Sequence, residues 1–225
     1  MIKNLINKKE PKFGSAKWLV ETEKKYGGYH KNVKRNTVSE KDPRSSEEIA
    51  KGGMIGGDRM SSKYHGYAKK YSEYLSELPR DQKTIVAEFG ILKGLGLAIW
   101  CDLFPNGLVY GFDIDLSHIN DNMDSLVKLG AFAQNKPILH EYDQLEENNS
   151  YLHKILGGQK IDVCIDDGLH SNVSILTTLE SVLPHLNKGA VYFIEDNEHV
   201  HKEIKKRYNN LLIDISGGLT ILKGF

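Results

Sequence analysis

From Thr84 to the end of the chain, short apolar runs of strand length alternate with stretches of helical period, and that alternation leaves few folds open. Thr84–Phe89, Leu108–Asp113, Pro137–His140, Ile161–Ile165 and Ala190–Ile194 read as strands. Helical patterns fill the gaps at about 95–103, 117–129, 147–156 and 172–185, the last opened by Ser171 as an N-cap. Strand, helix, strand at this spacing builds βαβ units and a parallel sheet. The chain end departs from the rule: Leu211–Ile215, Gly217-Gly218 and Leu219–Leu222 predict a hairpin that adds an antiparallel edge pair. The expected fold is α/β, a seven-stranded and mostly parallel sheet.

The first quarter of the chain reads differently. Residues 1–57 are rich in Lys and Glu, weak in apolar period, and punctuated by Gly27-Gly28 and Pro43, which predicts a helical or irregular N-terminal arm. Trp18-Leu19-Val20 is its one strong apolar cluster, suited to anchor the arm on the core or on a second subunit of a homo-oligomer. Gly52-Gly53-Met54-Ile55-Gly56-Gly57 reads as a hinge, and the domain proper is expected over 58–225. Tyr64–Leu75 predicts an amphipathic helix with a tyrosine face, whose tyrosines, with His65, read first as packing.

A chain of 225 residues, 40% of them hydrophobic, can bury one sizeable core. Its formal net charge of zero gives no global field for nucleic acid or an anionic membrane. No apolar run reaches spanning length, and Met1–Lys9 lacks the apolar segment of a secretory signal, so a cytoplasmic protein with no membrane span is expected. Cys101 and Cys164 read as buried free thiols.

Function is concentrated where the strands end. Ile161-Asp-Val-Cys-Ile-Asp-Asp-Gly-Leu-His170 and Val191-Tyr-Phe-Ile-Glu-Asp-Asn197 are apolar runs that stop abruptly in acids. Neighbouring parallel strands would bring Asp166, Asp167, Glu195 and Asp196 to the carboxyl edge of the sheet, where ligands bind in open α/β folds. Carboxylates crowded there call for a hard cation, and His170, three residues beyond Asp167, puts a base beside it. The first strand leads into Glu88-Phe-Gly-Ile-Leu-Lys-Gly-Leu-Gly96, a glycine-rich turn opening a helix. It matches neither the triphosphate loop nor the dinucleotide fingerprint. With an acid before its first glycine it suits a cationic or hydroxyl-bearing ligand that the backbone can approach closely. Asp113, ending the second strand, is placed to accept ribose hydroxyls, and Tyr142-Asp143-Gln144 ends the third near where an adenine edge would lie.

In this order the motifs resemble the class I S-adenosylmethionine-dependent methyltransferases. More narrowly they are similar to the metal-dependent macrolide sugar O-methyltransferases of mycinamicin and macrocin type. The resemblance runs over about residues 56–197. It is carried by Glu88-x-Gly-x-x-x-Gly94, Phe104-Pro-Asn, Tyr110-Gly-Phe-Asp-Ile114, Asp143-Gln144, Ile165-Asp-Asp-Gly-x-His170, Leu183-Pro-x-Leu-x-x-Gly189 and Tyr192-x-Ile-Glu-Asp196. Gly57-Asp-Arg-Met60 with His65-Gly-Tyr67 and Tyr71 is similar to a segment these enzymes carry before the fold. Gly96 and Leu169 stand where the family often has serine. The resemblance implies a Rossmann-like methyltransferase sheet and S-adenosyl-L-methionine and Mg2+ as cofactors. It further implies Asp167, Glu195 and Asp196 as metal ligands, His170 as general base, and Glu88, Gly90, Gly94, Asp113, Asp143, Gln144, Asp166 and Met60 around the cofactor.

The chemistry of the residues agrees. A sugar hydroxyl holds its proton too tightly to attack a sulfonium unaided at neutral pH, and a cation can lower that barrier. An imidazole is the side chain that titrates nearest neutrality. The expected acceptor is thus a small molecule or glycan bearing a hydroxyl. The same acids leave open methyl transfer to a catechol-like diol, or a non-catalytic cofactor-binding assembly protein.

Overall fold

Register between strands explains how the acids come together. The structure, a computed structural model, describes residues 10–27, 30–33, 54–76, 78 and 83–225. Its main sheet contains β3 (Ile85–Phe89), β4 (Leu108–Asp113), β5 (Ile138–Glu141), β6 (Ile161–Asp166), β7 (Leu186–Ile194), β8 (Leu212–Ser216) and β9 (Leu219–Lys223), in the order β5-β4-β3-β6-β7-β9-β8. β3 to β7 run parallel. The terminal hairpin is antiparallel as expected, with β9 inserted between β7 and the edge strand β8. β3 is flanked on one side by β4 and on the other by β6, so the strand order reverses there and opens the crevice in which α/β sheets bind ligands. In register, Phe89 lies beside Phe112 and Asp166, and Asp166 beside Ile194. The next residues, Gly90, Asp167 and Glu195, therefore leave the sheet side by side.

The central strands are mostly apolar because both of their faces are covered. Val86, Val109, Val163, Ile165, Val191 and Phe193 pack into one core, and Ala87, Phe89, Phe112, Ile161, Cys164 and Tyr192 into the other, the alternation a pleated strand imposes. The helices α3 (Leu95–Leu103), α4 (Ser117–Lys128), α5 (Asn149–Leu156) and α6 (Asn172–Val182) follow the strands. Ser171 caps α6 by accepting the Ser174 N–H at 3.0 Å. Pro184 lies in the 3-10 turn Leu183–His185 into which α6 runs, so the helix stops earlier than its apolar pattern suggested. Residues 200–207 form the helix α7 (Val200–Arg207), with Val200 and Ile204 in the core. Cys101 and Cys164 are free and buried. No helix among the described residues is long and apolar enough to cross a membrane.

The described parts of the N-terminal segment form regular structure. Ala16–Lys25 forms α1, capped by Ser15, which accepts the Trp18 N–H at 3.2 Å. Leu19 and Tyr26 are buried in the sheet's first core, and Trp18 and Val20 pack against it, so the apolar cluster anchors on the domain itself. β1 (His30–Val33) pairs antiparallel with β2 (Met54–Gly56), so part of the expected hinge is strand; backbone pairing needs no apolar periodicity and left no pattern to read. Gly28, Pro43 and Gly52-Gly53 lie outside the described residues. Ala68–Leu75 forms α2, whose Tyr71 stacks on Phe193 at 4.3 Å between ring centres and approaches Trp100 at 5.2 Å.

Candidate active site

A cavity of about 340 Å³ opens at the carboxyl ends of β3, β4, β6 and β7. One side is lined by Glu88, Gly90, Asp113, Asp143 and Gln144, the other by Asp167, His170, Glu195 and Asp196. Its size is at the lower end of the range of small-molecule sites.

The first side is held together by backbone. Gly90 has φ +84°, and a Cβ there would sit 2.3 Å from the Asp167 carbonyl oxygen, so the β3 and β6 exits can only meet through a glycine. Asp113 Oδ2 accepts the N–H groups of Ile91 and Leu92 at 2.8 and 3.0 Å, while Oδ1 accepts the Asp115 N–H at 3.3 Å. Burial pushes the Asp113 carboxyl up from its ordinary value, and these three amides oppose that. The strand-end acid therefore shapes the glycine turn as well as facing the cavity. Asp143 accepts the Leu145 N–H at 2.9 Å.

Three residues expected at the cofactor do not line the cavity. Met60 is buried in the core, with its N–H on the Glu23 carboxylate at 3.0 and 3.1 Å. Gly94 sits behind the turn as the left-handed N-cap of α3, its backbone against Ile119. Asp166 is 1% exposed and faces away from the cavity, accepting from the Gln144 amide at 2.7 Å and the Tyr192 hydroxyl at 3.3 Å. Burial raises its pKa to about 6. Gln144 bridges the two strand ends, because its Oε1 also accepts the Leu169 N–H at 2.9 Å.

The second side is held by side chains from the N-terminal segment. Arg59 reaches Asp167 Oδ2 at 2.5 Å and Glu88 Oε1 at 2.7 Å through Nη2, and Glu195 at 2.9 Å through Nε. Burial alone would lower the pKa of this guanidinium, but Glu195, Glu88 and Asp167 outweigh it and hold Arg59 firmly charged. Burial pushes the Glu88 and Glu195 carboxyls up, and Arg59 opposes the shift in both. Glu195 also accepts the Tyr71 hydroxyl in a short hydrogen bond. Gly96 leaves the room this requires: a Cβ there would lie 2.1 Å from Glu88 Oε1 and 2.5 Å from Arg59 Nη1. Asp196 accepts the Tyr67 hydroxyl at 2.7 Å and lies 3.0 Å from His65 Nδ1, whose Nε2 is 3.4 Å from Asp58. Those partners, Asp196 first, raise the His65 pKa to about 10, and in return His65 and Tyr67 outweigh burial and hold the Asp196 carboxyl below its usual range.

Asp167, His170 and Asp196 each offer a ligand atom, all within 4.8 Å of one another. His170 Nε2 is 3.9 Å from Asp167 Oδ1, and its Nδ1 has no hydrogen-bond partner among the described residues. Both His170 and Asp196 have positive φ, 60° and 56°, a conformation that costs a non-glycine residue about 1–3 kcal/mol and gathers at functional sites. Asn197 ties the two loops, donating to the His170 carbonyl at 2.9 Å while its Oδ1 accepts the His199 and Val200 N–H groups at the start of α7. Two carboxylates and an imidazole converging on one point fit a hard divalent cation. Arg59, Tyr67 and Tyr71 were legible only as part of a segment before the fold, since nothing local marks them as facing the acids.

No protein-family model matches the chain. Among curated proteins, L-olivosyl-oleandolide 3-O-methyltransferase of Streptomyces antibioticus is 31% identical over 156 residues, which is 62% of this chain and 36% of that protein. Mycinamicin VI 2''-O-methyltransferase of Micromonospora griseorubida is 26% identical over 140 residues, 59% of this chain and 31% of its own length. The chain thus matches about a third of the length of each relative. Among solved structures, the MycE methyltransferase from the mycinamycin biosynthetic pathway, in complex with Mg, SAH and mycinamycin VI, aligns over 74% of this chain and 50% of its own with a TM-score of 0.57 and 19% identity. In fold the domain is that of the class I methyltransferases, and in sequence it is similar to macrolide sugar O-methyltransferases.

Proposed function

We propose that the protein is an S-adenosylmethionine-dependent, Mg2+-assisted O-methyltransferase acting on a sugar or glycoside hydroxyl. The observation that carries this reading is the convergence of Asp167, His170 and Asp196 beside a cavity whose other wall is a glycine turn between two strand-end acids. The relatives support it: besides the two above, one is named for 2'-O-methylation of 8-demethyl-8-alpha-L-rhamnosyl tetracenomycin-C. The fold neighbour's complex contains Mg and SAH.

S-adenosylmethionine would supply the methyl group, bound along Glu88, Gly90, Asp113 and Asp143. Mg2+ would supply charge stabilisation at the acceptor hydroxyl, held by Asp167 and Asp196 with Glu195 behind them. His170 takes the hydroxyl proton, from a position fixed by the Asn197 clamp on its own carbonyl. His65 and Tyr67 hold Asp196 in its strained loop, and the domain chiefly aligns acceptor oxygen and methyl carbon.

The test is transfer of labelled methyl from S-adenosylmethionine to a panel of rhamnosides, olivosides and catechols, with Mg2+ and with EDTA. The reading expects a methylated glycoside whose formation stops on chelation. Transfer indifferent to EDTA, or confined to catechols, would contradict it.

A further inference from the structure

Arg59 answers a question the acid cluster raises. Glu88 and Glu195 are almost fully buried, Asp167 is half-buried beside them, and three such carboxylates cannot all stay ionised there without a cation. The cation present is a side chain, supplied by the segment just before α2 and fixed from outside the sheet, since the adjacent Met60 N–H is held by Glu23 of α1. Glu195 has given itself to Arg59 and Tyr71, and Asp167 has given Arg59 one oxygen, leaving Oδ1 toward His170. Of the acids expected to bind a metal, only Asp196 and half of Asp167 face the convergence point with His170.

We infer that Arg59 is the resident counter-ion of this cluster: it withholds Glu195 and one oxygen of Asp167 from a divalent cation, and so limits how tightly that cation binds at Asp167 and Asp196. The inference rests on reading these acids as a cation site. Charge and placement separate cleanly here. Tyr71 keeps its hydrogen bond to Glu195 without Arg59, and Asp167 stays anchored through its N–H to the Phe89 carbonyl at 2.8 Å. Removing the guanidinium therefore takes away a competing positive charge while leaving the acids near their places. A weakly held ion exchanges, and an apo protein whose acids are already neutralised stays folded.

The experiment is titration of the full chain with Mn2+ alone, reading free Mn2+ by its electron paramagnetic resonance signal. S-adenosylhomocysteine calorimetry on each variant checks that the pocket is formed. Arg59→Met should bind Mn2+ about tenfold more tightly than the natural chain, the lower end of the range over which groups around a metal site shift its affinity. Arg59→Met with Glu195→Gln should return most of that gain, while Glu195→Gln alone should lose less than Asp196→Asn. Equal or weaker binding by a folded Arg59→Met overturns the inference and leaves the cation site standing. If Arg59→Met does not fold, Glu195→Gln decides: a loss as large as that of Asp196→Asn makes Glu195 a direct ligand and overturns it. Absence of Mn2+ binding in the natural chain and in every variant overturns the cation reading itself, and the inference with it.

Discussion

The two walls of the cavity solve the same problem by different means. On the β3–β4 wall, Asp113 is half-buried and satisfied by amides of its own turn and the adjacent glycine loop. On the β6–β7 wall, Asp167, Glu195 and Asp196 are satisfied by Arg59, Tyr71, His65 and Tyr67, side chains more than a hundred residues away in sequence. Amides fixed by a turn cannot leave, whereas side chains can trade a carboxylate for an incoming ion. The first wall presents fixed amides and the second paired side-chain charges, with Arg59 reaching across to Glu88 of the first.

That contrast orders the expected effects of breaking each wall. The largest is His170→Ala, which should reduce methyl transfer by about 10²–10⁴-fold while leaving cofactor affinity intact, the usual reach of general acid/base catalysis. Steady-state rates beside calorimetry with S-adenosylhomocysteine separate the two, and a loss of affinity to match the loss of rate would move His170 to the other wall. Asp113→Ala should weaken cofactor binding at about 1.5–3 kcal/mol for each charge-assisted hydrogen bond lost, with the released Ile91 and Leu92 amides adding disorder in the turn. Unchanged affinity would reduce Asp113 to a strut of the glycine loop. Gly90→Ala should lower stability by at least the roughly 1–3 kcal/mol of a strained backbone, because the added methyl meets the Asp167 carbonyl; a thermal melt as high as that of the natural chain would contradict the close approach.

The smallest effect is a pH dependence at His65 of the second wall. Asp196 and Asp58 raise the pKa of His65 to about 10. A histidine shifted upward adds stability that is complete below its unfolded value of about 6.5 and disappears as pH rises through its folded value. His65→Gln should therefore cost stability most at pH 6 and progressively less toward pH 10, as followed by denaturant melts. A cost independent of pH would mean that His65 only packs on Tyr67, 5.4 Å away between ring centres.

Legibility in the sequence follows the same division. The strands, the helices after them and the terminal hairpin are written in local periodicity, and so are the acids that end β4, β6 and β7. Parallel strands in register then bring Gly90, Asp167 and Glu195 together without further information. What the sequence hides is partnership across long separations. Asp166 and Asp167 are neighbours with opposite fates, because the strand pleat turns the first toward Gln144 and Tyr192 and the second toward Arg59. Arg59 stands just past the glycine hinge and Tyr71 in a helix whose pattern reads as packing, and the polar composition of α1 conceals its buried Thr22 and Glu23. Gly96 marks the site of the Arg59–Glu88 pair only once both are seen beside it.

The central claim is that one cavity has two separable walls, and it is tested most directly by titrating S-adenosylhomocysteine and Mn2+ in parallel into the natural chain, Asp196→Asn and Asp113→Ala. Asp196→Asn should lose Mn2+ binding and keep S-adenosylhomocysteine affinity within about twofold, as expected for two residues that share no hydrogen-bond partner, and Asp113→Ala should do the reverse. Loss of both ligands together in either variant would contradict the division.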